Sequence, residues 1–122
     1  MRVAGIGFRA AAPLESLAEA LAFAVARSDG LPVDAIATAD VKATAPVFIA
    51  LCDQLGVPLC AVDVVGISTP TQSDYVLVAF GTGSVAEAAA LAGAGVGARL
   101  IVGRAVSGDG MATAAIAEGA NL

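Results

Sequence analysis

Two consecutive stretches, Arg2 to Phe8 (RVAGIGF) and Pro13 to Val25 (PLESLAEALAFAV), decide how the chain folds. The first is short and apolar, with glycine on either side of Ile6, the pattern of a buried strand that runs out into a loop. In the second, Leu14, Leu17, Ala18, Leu21 and Val25 recur on one helical face, and Pro13 suits a first turn, where no amide hydrogen is required. A strand followed by a helix with one apolar face predicts a sheet for that face to cover.

The same unit then comes again. Ser28, Asp29, Gly30 and Pro32 stop the helix, and Ala35 to Ala39 (AIATA) reads as a second strand that delivers Asp40 and Lys42 to its end. Pro46 opens a second helix with the stripe Phe48, Leu51, Cys52 and Leu55. Gly56 offers a left-handed C-terminal conformation there, and Pro58 blocks continuation. Leu59 to Val64 (LCAVDV) is the third strand. Alternation of this kind predicts an α/β domain with a parallel sheet and right-handed crossovers.

The second half is less regular. Val65 to Asp74 gathers Gly, Ser, Thr and Pro and reads as a surface loop. Tyr75 to Phe80 (YVLVAF) has the propensity of a strand, yet Ser73 and Asp74 equally cap a short helix. Behind Gly81-Thr82-Gly83, Ser84 caps a further helix, with Glu87 at the third position in a capping-box arrangement and Val85, Ala88, Ala89 and Ala92 as its stripe. Arg99 to Val106 (RLIVGRAV) and Met111 to Ala117 (MATAAIA) are expected to pair antiparallel around the turn Ser107-Gly108-Asp109-Gly110. Glu118 to Leu122 is expected as a frayed tail.

Composition bounds the function. The 122 residues suit one domain spanning the whole chain. Hydrophobic residues make up 58% of the sequence, but no apolar run is long enough to cross a bilayer, so a soluble, cytoplasmic protein with no membrane partner is expected. A net charge of −5 argues against nucleic acid, which is held largely through cations on its phosphates. The absence of His rules out a His-based triad built from this chain. With only Cys52 and Cys60 as thiols, neither a metal site nor a disulfide framework is predicted, and no cofactor is called for. Cys52 is expected to fill a helix face and Cys60 a strand interior.

Ligands of open α/β sheets bind beyond the carboxyl ends of the strands. The segments that qualify are Gly5-Ile6-Gly7-Phe8-Arg9, Asp40-Val41-Lys42 and Gly81-Thr82-Gly83-Ser84, with Arg104 as a further contributor. Because only six residues are basic, finding Arg9 and Lys42 both at strand exits points to a ligand with carboxylates or phosphates. Neither glycine cluster is a nucleotide motif: no third Gly follows Gly7 at dinucleotide spacing, and Gly83-Ser84 lacks the Lys of a P-loop. Each residue also has a structural reading. Gly5 and Gly7 suit a tight turn, Arg9 and Lys42 a solvated surface, Ser84 and Glu87 a cap and its partner, and Thr113 a strand.

Taken in order, Gly5-Ile6-Gly7-x-Arg9, Thr38-x-Asp40-x-Lys42, Ser73-x-x-Val76, Gly81-x-Gly83-Ser84-Val85-x-Glu87-x-Ala89-Ala90, Leu100-Ile101-Val102 and Thr113 span nearly the whole chain. In these residues the sequence resembles the CobE / CbiG C-terminal family of cobalamin biosynthesis. It departs from the family at Phe8, where Cys is frequent, at Ala11 (often Gly), at Ala45 (often acidic) and at Arg104 (usually Lys). Phe8 excludes a thiol nucleophile at its position, and Ala45 removes one candidate acid or base.

The resemblance implies a three-layer α/β/α sandwich around a mixed, mainly parallel sheet of about five strands, and it favours a helix for residues 75–80. It also implies a precorrin or related tetrapyrrole intermediate as ligand, whose acetate and propionate arms surround a flat apolar ring. Arg9 would then bind a carboxylate bidentately, Lys42 would add a point charge and the amides after Gly81 would take another anionic group. Gly5, Gly7, Gly83, Ser84 and Arg104 would complete the binding set. A binding or carrier protein needs no catalytic residue and is the favoured expectation. One alternative is a lactone-opening hydrolase like that associated with CbiG and cobalt-precorrin-5A, with Asp40 or Glu87 activating water. The other is a non-catalytic module that stabilises another corrin-pathway enzyme through its Ala-rich helices.

Overall fold

The computed structural model describes residues 1–30 and 32–120, with residues 75, 78 and 79 described by their backbone alone. Strands β1 (Arg2–Phe8), β2 (Ala35–Ala39), β3 (Leu59–Val62), β4 (Arg99–Val106) and β5 (Ala112–Glu118) form one sheet in the order β3-β2-β1-β5-β4. Helices α1 (Leu14–Arg27), α2 (Pro46–Leu55), α3 (Asp74–Phe80) and α4 (Val85–Ala94) complete the chain. β2 is parallel to β1 and β3, while β5 runs antiparallel to β1 and β4. The carboxyl ends of β1, β2, β3 and β4 consequently share one edge of the sheet with the start of β5.

Two cores sandwich the sheet. Leu17 and Leu21 of α1 and Phe48 and Leu51 of α2 bury Ile6, Ile36 and Ile116 on one face. Val85, Ala88 and Ala89 of α4 cover Val3, Ala35 and Ala37 on the other. This is the expected three-layer arrangement around a mixed sheet.

Small side chains set the distance between α4 and the sheet. A Cβ at Gly5 would stand 1.9 Å from the Ala86 carbonyl oxygen, and one at Gly93 would stand 2.8 Å from Val3 Cγ1. The glycines and the buried run Ala86 to Ala90 let α4 lie almost on the backbone of β1. Gly5 thus serves helix–sheet contact within a strand, not the turn that the sequence equally allowed.

Capping decides residues 74–80 in favour of a helix. Ser73 Oγ accepts the Val76 amide at 3.4 Å, and Gly81 closes the helix at φ +73° with its amide on the Leu77 carbonyl. Two caps outweigh the strand propensity of the apolar run between them.

Other boundaries differ slightly from expectation. β3 ends at Val62, two residues before the expected Val64, because the Asp63 carboxylate accepts the Val65 amide and starts the loop. Glu118 belongs to β5, where it meets Arg2 and Arg99, and the Gly119 amide donates to the Met1 carbonyl. These contacts replace a frayed tail as far as Gly119, while Asn121 and Leu122 lie outside the described residues. Cys52 is buried, but Cys60 is only half-buried, because β3 is an edge strand. Among the described residues no helix is long and apolar enough to cross a membrane, and no cluster of His, Cys, Asp or Glu could hold a metal ion.

Candidate functional site

A short 3₁₀ turn, Asp40–Lys42, leaves β2 and reverses the chain. Asp40 stabilises the turn by accepting the Val41 amide at 2.8 Å and stays exposed. Lys42 then folds back over the end of β1. Its Nζ donates to the Phe8 carbonyl at 2.6 Å and lies 4.8 Å from the centre of the Phe8 ring and 5.8 Å from that of Phe80. Both faces are favourable for an ammonium, but partial burial pushes the Lys42 pKa below the ordinary lysine value. Phe8 is itself supported from below by Phe48, with ring centres 6.2 Å apart.

Phe8, Lys42 and Phe80 form one wall of a pocket of about 500 Å³ at the carboxyl edge of the sheet. Gly7, Phe8 and Arg9 continue from β1, and Arg104 and Val106 come from β4. Met111, Ala112 and Thr113 rise with the start of β5, and Ser73, Val76 and Phe80 come from α3 and its cap. Ser84 and Val85 present the amino-terminal end of α4, the positive end of its dipole. The Arg9 amide donates to the Met111 carbonyl at 2.9 Å, which ties the rim of β1 to that of β5.

The charge balance of this pocket opposes that of the chain. Of six basic residues, Arg9, Lys42 and Arg104 line it, and none of its lining residues is acidic. None of the three forms an ion pair among the described residues. Thr113 and Gly7 shape the floor: the Thr113 hydroxyl donates to the Gly7 carbonyl at 3.4 Å, and a Cβ at Gly7 would come within 2.7 Å of that hydroxyl.

Five of the residues singled out in the sequence meet here: Gly7, Arg9, Lys42, Ser84 and Arg104. Gly5, Asp40, Gly81, Gly83 and Glu87 do not line the pocket. Gly5 lies beneath α4, and the Gly81 amide is engaged as the C-cap of α3 rather than facing a ligand. Gly83 makes room for the Thr71 carbonyl, 2.6 Å from where its Cβ would be. Ser84 caps α4 as expected, accepting the Glu87 amide at 3.3 Å. The Glu87 side chain, however, does not complete a capping box. It is 1% exposed and accepts the Thr71 amide at 2.8 Å, the Thr71 hydroxyl at 3.0 Å and the Arg104 amide at 3.0 Å. The buried Thr38 hydroxyl likewise serves the fold, donating to the Ile6 carbonyl at 2.7 Å.

Phe8 lies in a segment that the sequence singles out, but its pairing with Phe80 was missed. Phe8 and Phe80 are far apart along the chain, and no local spacing marks them as the two sides of one lysine.

A family profile described as "Cobalamin synthesis G C-terminus" matches residues 2–117. The chain belongs to that family. The crystal structure of CobE, a protein from the cobalamin (vitamin B12) biosynthetic pathway, is similar at 27% identity and a TM-score of 0.78, covering 96% of this chain and 92% of that one. The cobalamin biosynthesis protein chiG from Agrobacterium tumefaciens str. C58 is similar at 34% identity and a TM-score of 0.71, covering 99% of this chain and all of that one. No curated protein matches the chain. Family membership and these structural likenesses make it a protein of the cobalamin biosynthetic pathway.

Proposed function

We propose that this protein binds a corrin-ring intermediate as a carrier, gripping the carboxylate arms of the ring. The observation that carries the reading is the placement of Arg9, Lys42 and Arg104 around one pocket without a lining carboxylate, in a chain of net charge −5. A few cations set in an apolar, aromatic wall suit acetate and propionate arms on a flat apolar body. A volume of about 500 Å³ suits one edge of such a ring and not the whole of it. Val41 of the 3₁₀ turn, Val65 of the loop after β3 and Leu77 of α3 are exposed and would offer apolar surface to the remainder.

The carrier reading fits better than a hydrolase because the two candidate water-activating residues do not line the pocket. Asp40 faces solvent, and Glu87 is buried with its oxygens already accepting three hydrogen bonds. Absorbance titration with a series of precorrin-type intermediates, followed by a search for acetaldehyde, tests the proposal. Saturable binding with the ligand recovered unchanged is expected. Turnover of a lactone-bearing intermediate would establish the hydrolase instead, and failure to bind any of the series would remove the carrier.

A further inference from the structure

Arg104 reaches the pocket by way of an irregular strand. The eight residues of β4 lie opposite Thr113 to Glu118 of β5, and the register slips between Leu100 and Val102 and again between Val102 and Ala105. Such bulges turn an amide out of the ladder and re-aim the adjoining side chain. Val102 and Ala105 both pack in the core beneath α1, although residues three apart on a regular strand face opposite sides. The extra residue between them is accommodated at Gly103-Arg104.

The displaced amide has a partner. Arg104 donates it to Glu87 Oε2 at 3.0 Å, across to α4, and a Cβ on Gly103 would stand 3.2 Å from the same oxygen. The other end of that carboxylate accepts the Thr71 amide, two residues before Ser73 at the base of the α3 wall. We infer that Glu87 is a positioning residue for anion recognition: by anchoring the Gly103-Arg104 bulge it aims the Arg104 guanidinium into the pocket. A carboxylate suits this task because both its oxygens accept, whereas an amide would turn an NH₂ group toward one of the two backbone donors. This role rests on the reading of the pocket as an anion site.

A double-mutant cycle in ligand binding tests it, with uroporphyrin as the probe because its acetate and propionate arms surround an absorbing tetrapyrrole ring. In wild-type protein, Arg104→Ala is expected to weaken binding by about tenfold or more, the loss typical of a charged hydrogen-bonding group. In a Glu87→Ala background, where no side-chain acceptor is left for the Arg104 amide, the same change should cost no more than about twofold, because the guanidinium is no longer aimed, while Arg9→Ala keeps its full effect. A purely structural role for Glu87 would lower stability without this selective coupling. Equal losses for Arg104→Ala in both backgrounds overturn the inference and leave the anion site intact. No binding by wild-type protein overturns both. If Glu87→Ala does not fold, Glu87→Asp, whose oxygens fall one methylene short of the Arg104 amide, carries the same cycle and the same expectations.

Discussion

The two edges of the sheet treat their cations in opposite ways. At the amino edge Arg2 is paired with Asp29 at 3.1 Å and with Glu118 at 3.3 Å, and Arg99 reaches Glu118 at 3.9 Å. Arg27 sits in the last turn of α1, where the helix dipole favours positive charge. At the carboxyl edge Arg9, Lys42 and Arg104 share a pocket with no lining carboxylate, although the chain carries more acids than bases. The nearby acids are used elsewhere. Asp109 accepts the hydroxyls of Ser16 and Ser107 and the Met111 amide, and Glu19 accepts the Gly108 amide, so both fasten the β4–β5 turn to α1. Arg2 and Arg99 at one edge are paired within the fold, while the three cations of the pocket form no ion pair among the described residues.

The most disruptive way to break this contrast is Gly5→Ala. With its Cβ 1.9 Å from a backbone oxygen, no rotamer relieves the clash, and α4 must leave the sheet. A loss of about 3 kcal/mol is expected from overpacking at such a site. Thermal or denaturant unfolding would read it, and ligand binding should weaken with it, because α4 carries Ser84 and Val85 into the pocket.

Single alanine variants of Arg9, Lys42 and Arg104 come next. Each should weaken binding of a carboxylate-bearing ring by about ten- to a hundredfold. Arg9→Ala and Arg104→Ala should leave the melting temperature unchanged, since neither has an ion-pair partner among the described residues, whereas Lys42→Ala should also lower it slightly by removing the hydrogen bond to the Phe8 carbonyl. Burial lowers the Lys42 pKa, so its charge is lost as pH rises through a value below that of an exposed lysine. Affinity should begin to fall there, and in Lys42→Ala that pH step should vanish.

Arg2→Ala sharpens the comparison from the other side. It should lower the melting temperature by a few degrees with ligand affinity intact, the reverse of the Arg9 result.

The smallest effect concerns Asp109, whose hydrogen bonds from Ser107, Ser16 and Met111 hold its pKa at about 2. A depressed carboxylate stabilises the fold above the ordinary carboxylate range and stops doing so as pH falls through its folded value. The melting temperature of wild type should exceed that of Asp109→Asn near neutral pH, and the gap should close as pH is lowered toward about 2.

The fold was legible where local signals agree. Leu17, Leu21 and Phe48 announce helix faces by their spacing, and Gly56, at φ +66°, ends α2 as its position suggested. Tyr75 to Phe80 was not legible from propensity, because the deciding contacts are the Ser73 and Gly81 caps outside the apolar run. The pocket was half legible. Arg9 and Lys42 stand at strand exits, which a strand reading locates, and Arg104 reaches the same edge because four strands share a direction. What the sequence hides is contact between distant segments. Glu87 looks like a local capping partner, yet its oxygens go to Thr71 and Arg104. Gly5 looks like a turn residue until α4 is laid across it.

One titration bears most directly on the central claim, which is that the carboxyl edge recognises acid groups on a ring. A corrin-ring polyacid and its fully amidated counterpart present nearly the same macrocycle with and without charge. The polyacid should bind wild-type protein at least about a hundredfold more tightly, as expected when several charged contacts are lost together, and replacing Arg9, Lys42 and Arg104 together by alanine should erase the preference. Equal affinity for the two rings, or a preference that survives the triple replacement, would contradict the account.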